Sequence, residues 1–265
     1  MALQQGQTEI VPEIYCVFDP IVVEAVSAVG HTCEWIDMEF SHAVLTGLSN
    51  MILATRSVDM EVFVRIPHGP YNLIAKPLEL GAAGLIWPHC QNVEDARALV
   101  RMAKFRPEGM RGMGGGRDSE WGTLDRSAYI EAANENVLLG VMIEDAEAVE
   151  ECEAIASVPG IDLLILGSGD LSQSYGVHRD PGHVFTKPKV ANAFDRVSEA
   201  CRVNGKTMGT PVEPGGSMRW AIEHGARWLI CCDEMTSLAK GYGGAMEQTV
   251  AILTGLGDRD AGVSA

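Results

Sequence analysis

Eight short apolar runs, each followed by a segment with helical spacing, constrain this chain more than any other feature. The runs are EIYCVF (Glu13–Phe18), CEWIDM (Cys33–Met38), EVFVRI (Glu61–Ile66) and GLIWP (Gly84–Pro88). They continue with VLLGVMIE (Val137–Glu144), IDLLILG (Ile161–Gly167), KTMGT (Lys206–Thr210) and RWLICC (Arg227–Cys232). Continuous apolar strands belong to a parallel sheet covered on both faces, and helices must carry the chain back between them. Several helical segments stop at a glycine, as helix ends commonly do: Gly30, Gly81, Gly205 and Gly225. Eight units in a chain of 265 residues predict a single (β/α)8 TIM barrel over 1–265. A doubly wound open sheet fits less well, because no G-x-G-x-x-G follows the first strand and the repeat runs past six.

One stretch breaks the rhythm. RPEGMRGMGGGRDSEWGTLDRSAYIEAANEN, between the fourth helix and the fifth strand, is far longer than a usual α-to-β connection. Its glycines, among them Gly114 and Gly115, could bring peptide N–H groups up to an anion, or the stretch could be a surface excursion.

Composition and charge narrow the partners. The formal net charge of −16 argues against nucleic acid and anionic membrane, which need clustered Lys and Arg. No apolar stretch reaches the length of a membrane span, and MALQQGQTEIVPE lacks the pattern of a secretory signal. Seven cysteines without a C-x-x-C pair read as reduced thiols, mostly buried filler, in a cytoplasmic protein. Adjacent Cys231 and Cys232 are the one pair that stands out.

A barrel of this kind carries its chemistry at the carboxyl ends of its strands. Those ends deliver Asp37 and Glu39 with His42 beyond, then Arg65 with His68, His89, Glu144, and Asp170 after the sixth strand. Asp145 reads as an ordinary helix N-cap, and Asp170 partly so. Glu144 does not, because Glu caps poorly and here closes an apolar run. Neighbouring strands lie about 5 Å apart, so Glu144 and Asp170 would repel unless a cation sits between them. A hard divalent ion with oxygen ligands, Mg²⁺ or Mn²⁺, answers that. Arg65, inside an apolar strand, needs a partner: a salt bridge to Glu144 or Asp37, a substrate oxyanion, or both.

Six motifs occur in order: WIDME (Trp35–Glu39), FVRIP (Phe63–Pro67), Q-N-x-x-D-A-R (Gln91–Arg97), P-E-G-x-R-G-x-G (Pro107–Gly114), V-x-I-E (Val141–Glu144) and G-x-x-D-L-S (Gly167–Ser172). Together they resemble the metal-dependent class II pyruvate aldolases of the HpcH/HpaI family, over Glu13 to Gln248. That family includes hydroxy-oxo-heptanedioate aldolase, 2-keto-3-deoxy sugar acid aldolases and, more distantly, macrophomate synthase.

The resemblance implies a barrel of the phosphoenolpyruvate/pyruvate-binding type that cleaves a 4-hydroxy-2-oxo acid to pyruvate and an aldehyde. It makes Glu144 and Asp170 the ligands of a divalent metal, and Arg65 the contact to the keto oxygen and enolate. Asp37 becomes an acid beside the base, and Gly167, Ser168 and Gly169 the binders of the pyruvate carboxylate. It further implies a homo-oligomer, a hexamer built as a trimer of dimers, with the last helix (236–256) exchanged between copies.

The pattern also departs from the family. Phe40 stands where D-x-E-H has its histidine, leaving His42, two residues on, as the substitute or as an exposed side chain at a helix start. Met142 replaces a common Gln, Ser168-Gly169 replaces Pro-Ala, and a Ser usual near Gly115 is missing. Metal and enolate binding are therefore expected to be intact, with proton transfer altered. Decarboxylation of an oxaloacetate-type acid, or a non-catalytic metal/oxo-acid-binding barrel, are the alternatives, and His68 and His89 are candidates for a relocated proton carrier. A barrel of the citrate-lyase β-subunit type would want basic residues for nucleotide phosphates, which this acidic chain does not supply.

Overall fold

The computed structural model describes residues 7–42, 44–69 and 71–256. Strands β1 (Glu9–Ile14), β2 (Cys33–Asp37), β3 (Glu61–Arg65), β4 (Gly84–Trp87), β5 (Leu138–Ile143), β6 (Leu163–Leu166), β7 (Thr207–Pro211) and β8 (Trp228–Asp233) are parallel neighbours in chain order. β8 pairs back onto β1 and closes the barrel. Around it run α1 (Pro20–Ala28), α2 (Leu45–Val58), α3 (Tyr71–Leu80), α4 (Val93–Ala103), α5 (Arg126–Asn136), α6 (Ala146–Glu150) and α7 (Cys152–Ala156). The series ends with α8 (Ser168–Ser174), α9 (Pro188–Asn204), α10 (Gly216–Glu223) and α11 (Glu234–Gly255).

Alternation along the strands builds two cores, because successive side chains point to opposite faces. Val11, Trp35, Phe63, Ile86, Met142, Ile165, Trp228 and Ile230 fill the barrel, with Phe63 and Trp228 edge to face at 4.7 Å. Ile14, Ile36, Val64, Leu85, Val141, Leu164 and Leu229 pack outward against the helices. The inward row sets the site. Two residues beyond Val11, Trp35, Phe63 and Met142 come Glu13, Asp37, Arg65 and Glu144, so four charged side chains face the barrel mouth.

Two sequence expectations need correction. The first strand is Glu9–Ile14, four residues earlier than the run Glu13–Phe18. The N–H groups of Tyr15, Cys16 and Val17 all turn to Glu234 Oε1, at 3.0, 2.5 and 2.9 Å, so that stretch cannot give them to a sheet. The long stretch before β5 is not a loose excursion. It carries α5, and Arg117 ties it down by donating to the carbonyls of Ser49 and Leu80. Gly205 ends α9 in the left-handed conformation, as its position at a helix end foretold.

Glu34 is the costly residue of the fold. It alternates with inward Cys33 and Trp35, is fully buried in the outer layer, and neither carboxyl oxygen has a hydrogen-bond partner among the described residues. Burial pushes its pKa up to about 8. A raised folded-state pKa means stability that is complete below the ordinary value of 4.5 and is lost as pH rises toward 8. Glu34→Leu should therefore flatten the fall in melting temperature between pH 5 and 8. At pH 8 it should add about 1–3 kcal/mol, the cost of an unsatisfied buried polar group. Calorimetric melts of both proteins across that range check it; parallel curves would contradict it.

Candidate active site

Arg65 ends β3 and is held from three strands. Its Nε donates to Asp37 Oδ1 at 2.8 Å and its Nη2 to Asp37 Oδ2 at 2.6 Å, a two-pronged pair buried in the mouth. Nη2 also reaches Glu13 Oε1 at 3.3 Å, and Glu39 Oε2 lies 3.6 Å from Nε. Burial works against the guanidinium charge, but Asp37, Glu13 and Glu39 hold it above the usual arginine range. The rings of Trp35 and Phe40 lie 5.2 and 5.1 Å from its Cζ, so the cation is walled by aromatic surface. Among the described residues Nη1 meets only the Met142 sulfur, at 3.8 Å. A weak thioether acceptor leaves that N–H free for a stronger one.

Asp37 is fully engaged. Besides Arg65 it accepts from the backbone N–H of Glu39 at 2.8 Å and of Phe40 at 3.2 Å. It fixes both the arginine and the turn that follows β2. The salt bridge expected for Arg65 is thus to Asp37 and not to Glu144.

Glu144 follows β5, buried, with Oε1 accepting from the N–H of His89 at 2.7 Å. His89 stands at φ +48°, a left-handed conformation that non-glycine residues seldom adopt, and there its N–H points at the carboxylate. Its imidazole Nδ1 lies 3.5 Å from Glu144 and 3.4 Å from Asp145, and Nε2 lies 3.7 Å from Glu39. Burial disfavours the imidazolium, yet these carboxylates keep its pKa above the ordinary histidine value. Asp145 occupies an N-cap position without making the cap bond expected of it; its side chain faces His89 instead. Burial raises the pKa of Glu144, the His89 contacts oppose this, and the charges of Asp170 and Glu39 raise it further.

Asp170 lies in the first turn of α8, half-buried, and its field reaches both Glu144 and Glu39. Ser168, Gly169 and Asp170 are the first three residues of that helix, whose N–H groups have no partner one turn back. Gly167 is required by space: a Cβ there would stand 2.5 Å from Glu144 Oε2.

The other predicted residues lie elsewhere. His42 is exposed, edge-on to Phe18 at 5.3 Å, while Phe40 occupies the face of Arg65. His68 is exposed against Trp87. Gly114 is pressed on the Glu79 carboxylate of α3, where a Cβ would come within 2.4 Å of Oε1. An acid as neighbour makes that loop a poor cradle for an anion, and the structure does not bring Gly114 or Gly115 to Arg65. Glu13 was missed by sequence reasoning. Burial lifts its pKa to about 7, the Arg65 charge pulls it back, and Asp37, Asp233 and Glu234 add to the lift.

The model of the HpcH/HpaI aldolase/citrate lyase family matches residues 19–217. The chain belongs to the HpcH/HpaI family. Among its relatives is a 4-hydroxy-2-oxovalerate aldolase of Rhodococcus jostii, 33% identical over 210 residues, 78% of this chain and 79% of that one. Another is a 4-hydroxy-4-methyl-2-oxoglutarate aldolase of Chaetomium globosum, 33% identical over 231 residues and 84% of each chain. The fold matches the crystal structure of an HpcH/HpaI aldolase from Desulfitobacterium hafniense with a TM-score of 0.85, 26% identity and 94% of both chains covered.

The donor set of this HpcH/HpaI chain fits a hard divalent cation. Glu144 and Asp170 offer oxygen only, and their mutual repulsion is what a cation would relieve. Among the described residues no group of three or more His, Cys, Asp or Glu side chains could hold a metal ion. Water or substrate oxygens would have to complete the shell, which leaves coordination positions open.

Proposed function

We propose that this chain is a divalent-metal-dependent carbon–carbon lyase that cleaves a 4-hydroxy-2-oxo acid to pyruvate and an aldehyde. The observation that carries it is the pair of carboxylates, Glu144 and Asp170, whose charges act on each other at a barrel mouth that also holds Arg65. Mg²⁺ or Mn²⁺ held by Glu144 and Asp170 would supply Lewis-acid polarisation of the keto acid. The N–H groups of Ser168 and Gly169 receive the substrate carboxylate. Arg65 Nη1 donates to the keto oxygen and holds the negative charge that collects there as the C3–C4 bond breaks. Asp37 and Glu13 keep the guanidinium aimed, and the Trp35 and Phe40 rings keep water off it.

Proton transfer falls to Glu13. Its pKa of about 7 lets it accept the 4-hydroxyl proton and return one, as a group poised near neutrality can. Glu13→Gln should lower kcat by about 10²-fold. It should also flatten the pH–rate profile near 7; an unchanged profile would remove Glu13 from the reaction. His42 and His68 take no part in this reading, and His89 orients Glu144.

A second reading rests on Phe40. Loss of CO₂ from an oxaloacetate-type acid uses the same enolate site and needs no base at the position the phenyl ring occupies. Pyruvate release from a panel of 4-hydroxy-2-oxo acids and oxaloacetate, with and without EDTA, separates the two. Turnover indifferent to chelator contradicts both.

Helix α11 supports an exchanged arm within a homo-oligomer, a hexamer by the family resemblance. It has no buried residue over its 22 positions, and Met235, Leu238, Tyr242 and Met246 form an exposed apolar stripe at helical spacing. No helix of the described residues is long and apolar enough to cross a membrane. Seven unpaired cysteines suit a reducing, cytoplasmic setting.

A further inference from the structure

β8 reaches the barrel mouth in two consecutive cysteines. In a regular strand their side chains would point to opposite faces. Here the pairing with β1 slips: Val11 opposes Ile230, Pro12 opposes Cys232, and Cys231 is the extra residue of a bulge. Pro12 has no N–H to give the ladder, so a break beside it forfeits little. The bulge cancels the alternation. The two sulfurs stand 3.9 Å apart, and both line one mouth cleft of about 640 Å³ together with Glu13, Ser168 and Asp233. Both are partly exposed, whereas Cys33, Cys90, Cys152 and Cys201 are buried. Cys231 donates its S–H to Cys232; that bond, opposed by burial and helped by His31, draws the Cys232 thiol down to about 6.

We propose that Cys231 and Cys232 are a peroxide-modified dithiol that closes to a disulfide and slows the enzyme. The Cys232 thiolate attacks one oxygen of hydrogen peroxide; the O–O bond breaks, and the departing hydroxide takes a proton and leaves as water. Cys231 then attacks the sulfenic sulfur, an S–S bond forms, the S–O bond breaks and a second water leaves. The two thiols lose two electrons and two protons, and the peroxide is reduced to two waters. The sulfurs must close from 3.9 Å to the roughly 2.05 Å of an S–S bond while the adjacent Cα atoms stay fixed about 3.8 Å apart, so the backbone of the bulge must twist as the bond forms.

The rearrangement reaches the site through the next residue. Asp233 pairs with Glu13 across the β1–β8 ladder and caps α11 by accepting from the Thr236 N–H at 2.7 Å. Glu13 in turn holds Arg65. The loss of turnover rests on the proposed lyase reading; formation of the bond does not.

The test uses the full chain, treated with hydrogen peroxide, alkylated, and examined by peptide mass. The peptide carrying both cysteines should lose two hydrogens and resist alkylation, and dithiothreitol should reverse both. Turnover should fall several-fold and return with the reductant. Cys231→Ser should stop at a sulfenic acid that dimedone traps, Cys232→Ser should not react, and Cys16→Ser should behave as the parent. Two thiols still alkylated after peroxide, an irreversible gain of oxygen, or a bond joining two chains would overturn the proposal. A disulfide that leaves turnover unchanged would overturn the slowing. A reduced protein without any turnover would count against the lyase reading, while the masses still decide the dithiol.

Discussion

Arg65→Lys will lower kcat for pyruvate release by about 10²–10³-fold, the usual cost of losing one donor to a developing oxyanion. The reason lies in the division of labour within the guanidinium. Nε and Nη2 are spent on Asp37, at 2.8 and 2.6 Å, and Nη1, which among the described residues meets only the Met142 sulfur, is the substrate donor of the proposed reading. An ammonium is a single point of charge and cannot grip Asp37 on two prongs while presenting a third N–H at a fixed angle. Because lysine keeps the charge beside buried Asp37, the fold should survive with a small loss of melting temperature. The effect should appear in kcat, since the enolate charge exists only after the bond begins to break. Steady-state kinetics on the best substrate of the panel, paired with thermal melts, check this. A change confined to KM would mean that Arg65 only helps substrate to bind.

Glu144→Gln will cost about 10³-fold or more in turnover, because in the proposed reading it weakens the hold on a metal whose polarisation is worth several kcal/mol. The amide keeps the size of the carboxylate and can still accept from the His89 N–H, so the variant should fold. It also fits the space that Gly167 leaves open beside Oε2. What it loses is charge at a position that the Asp170 charge also reaches, the two being the metal's ligands in the proposed reading. Raising Mn²⁺ should recover part of the activity, since weakened binding is overcome by mass action. Undiminished turnover at ordinary metal concentration would remove Glu144 from the mechanism.

The barrel was legible because its strands are buried on both faces and read as unbroken apolar runs between helical segments. The error at β1 has a local cause. EIYCVF is as apolar as EIVPEI, and Pro12 argues against a strand, yet Pro12 sits at the bulge that makes it tolerable. That slip also hid Glu13, which falls at the start of the misplaced strand and near the carboxyl end of the real one. Glu144, Arg65 and Asp37 were readable as charges at or just past the ends of apolar strands, where a residue's height in the barrel follows from the alternation; Asp170 lies in the first turn of α8, beyond the reach of that argument. His42, Gly114 and Gly115 lie in loops, where spacing says little about which way the chain turns. His42 turned toward Phe18 and the glycine loop toward Glu79.

Mn²⁺ binding to the purified full chain, followed by calorimetry with and without pyruvate, tests the two-carboxylate site most directly. The expected result is one ion per chain, held more tightly when pyruvate is present, and lost in both Glu144→Gln and Asp170→Asn. Equal binding in the parent and both variants would contradict it.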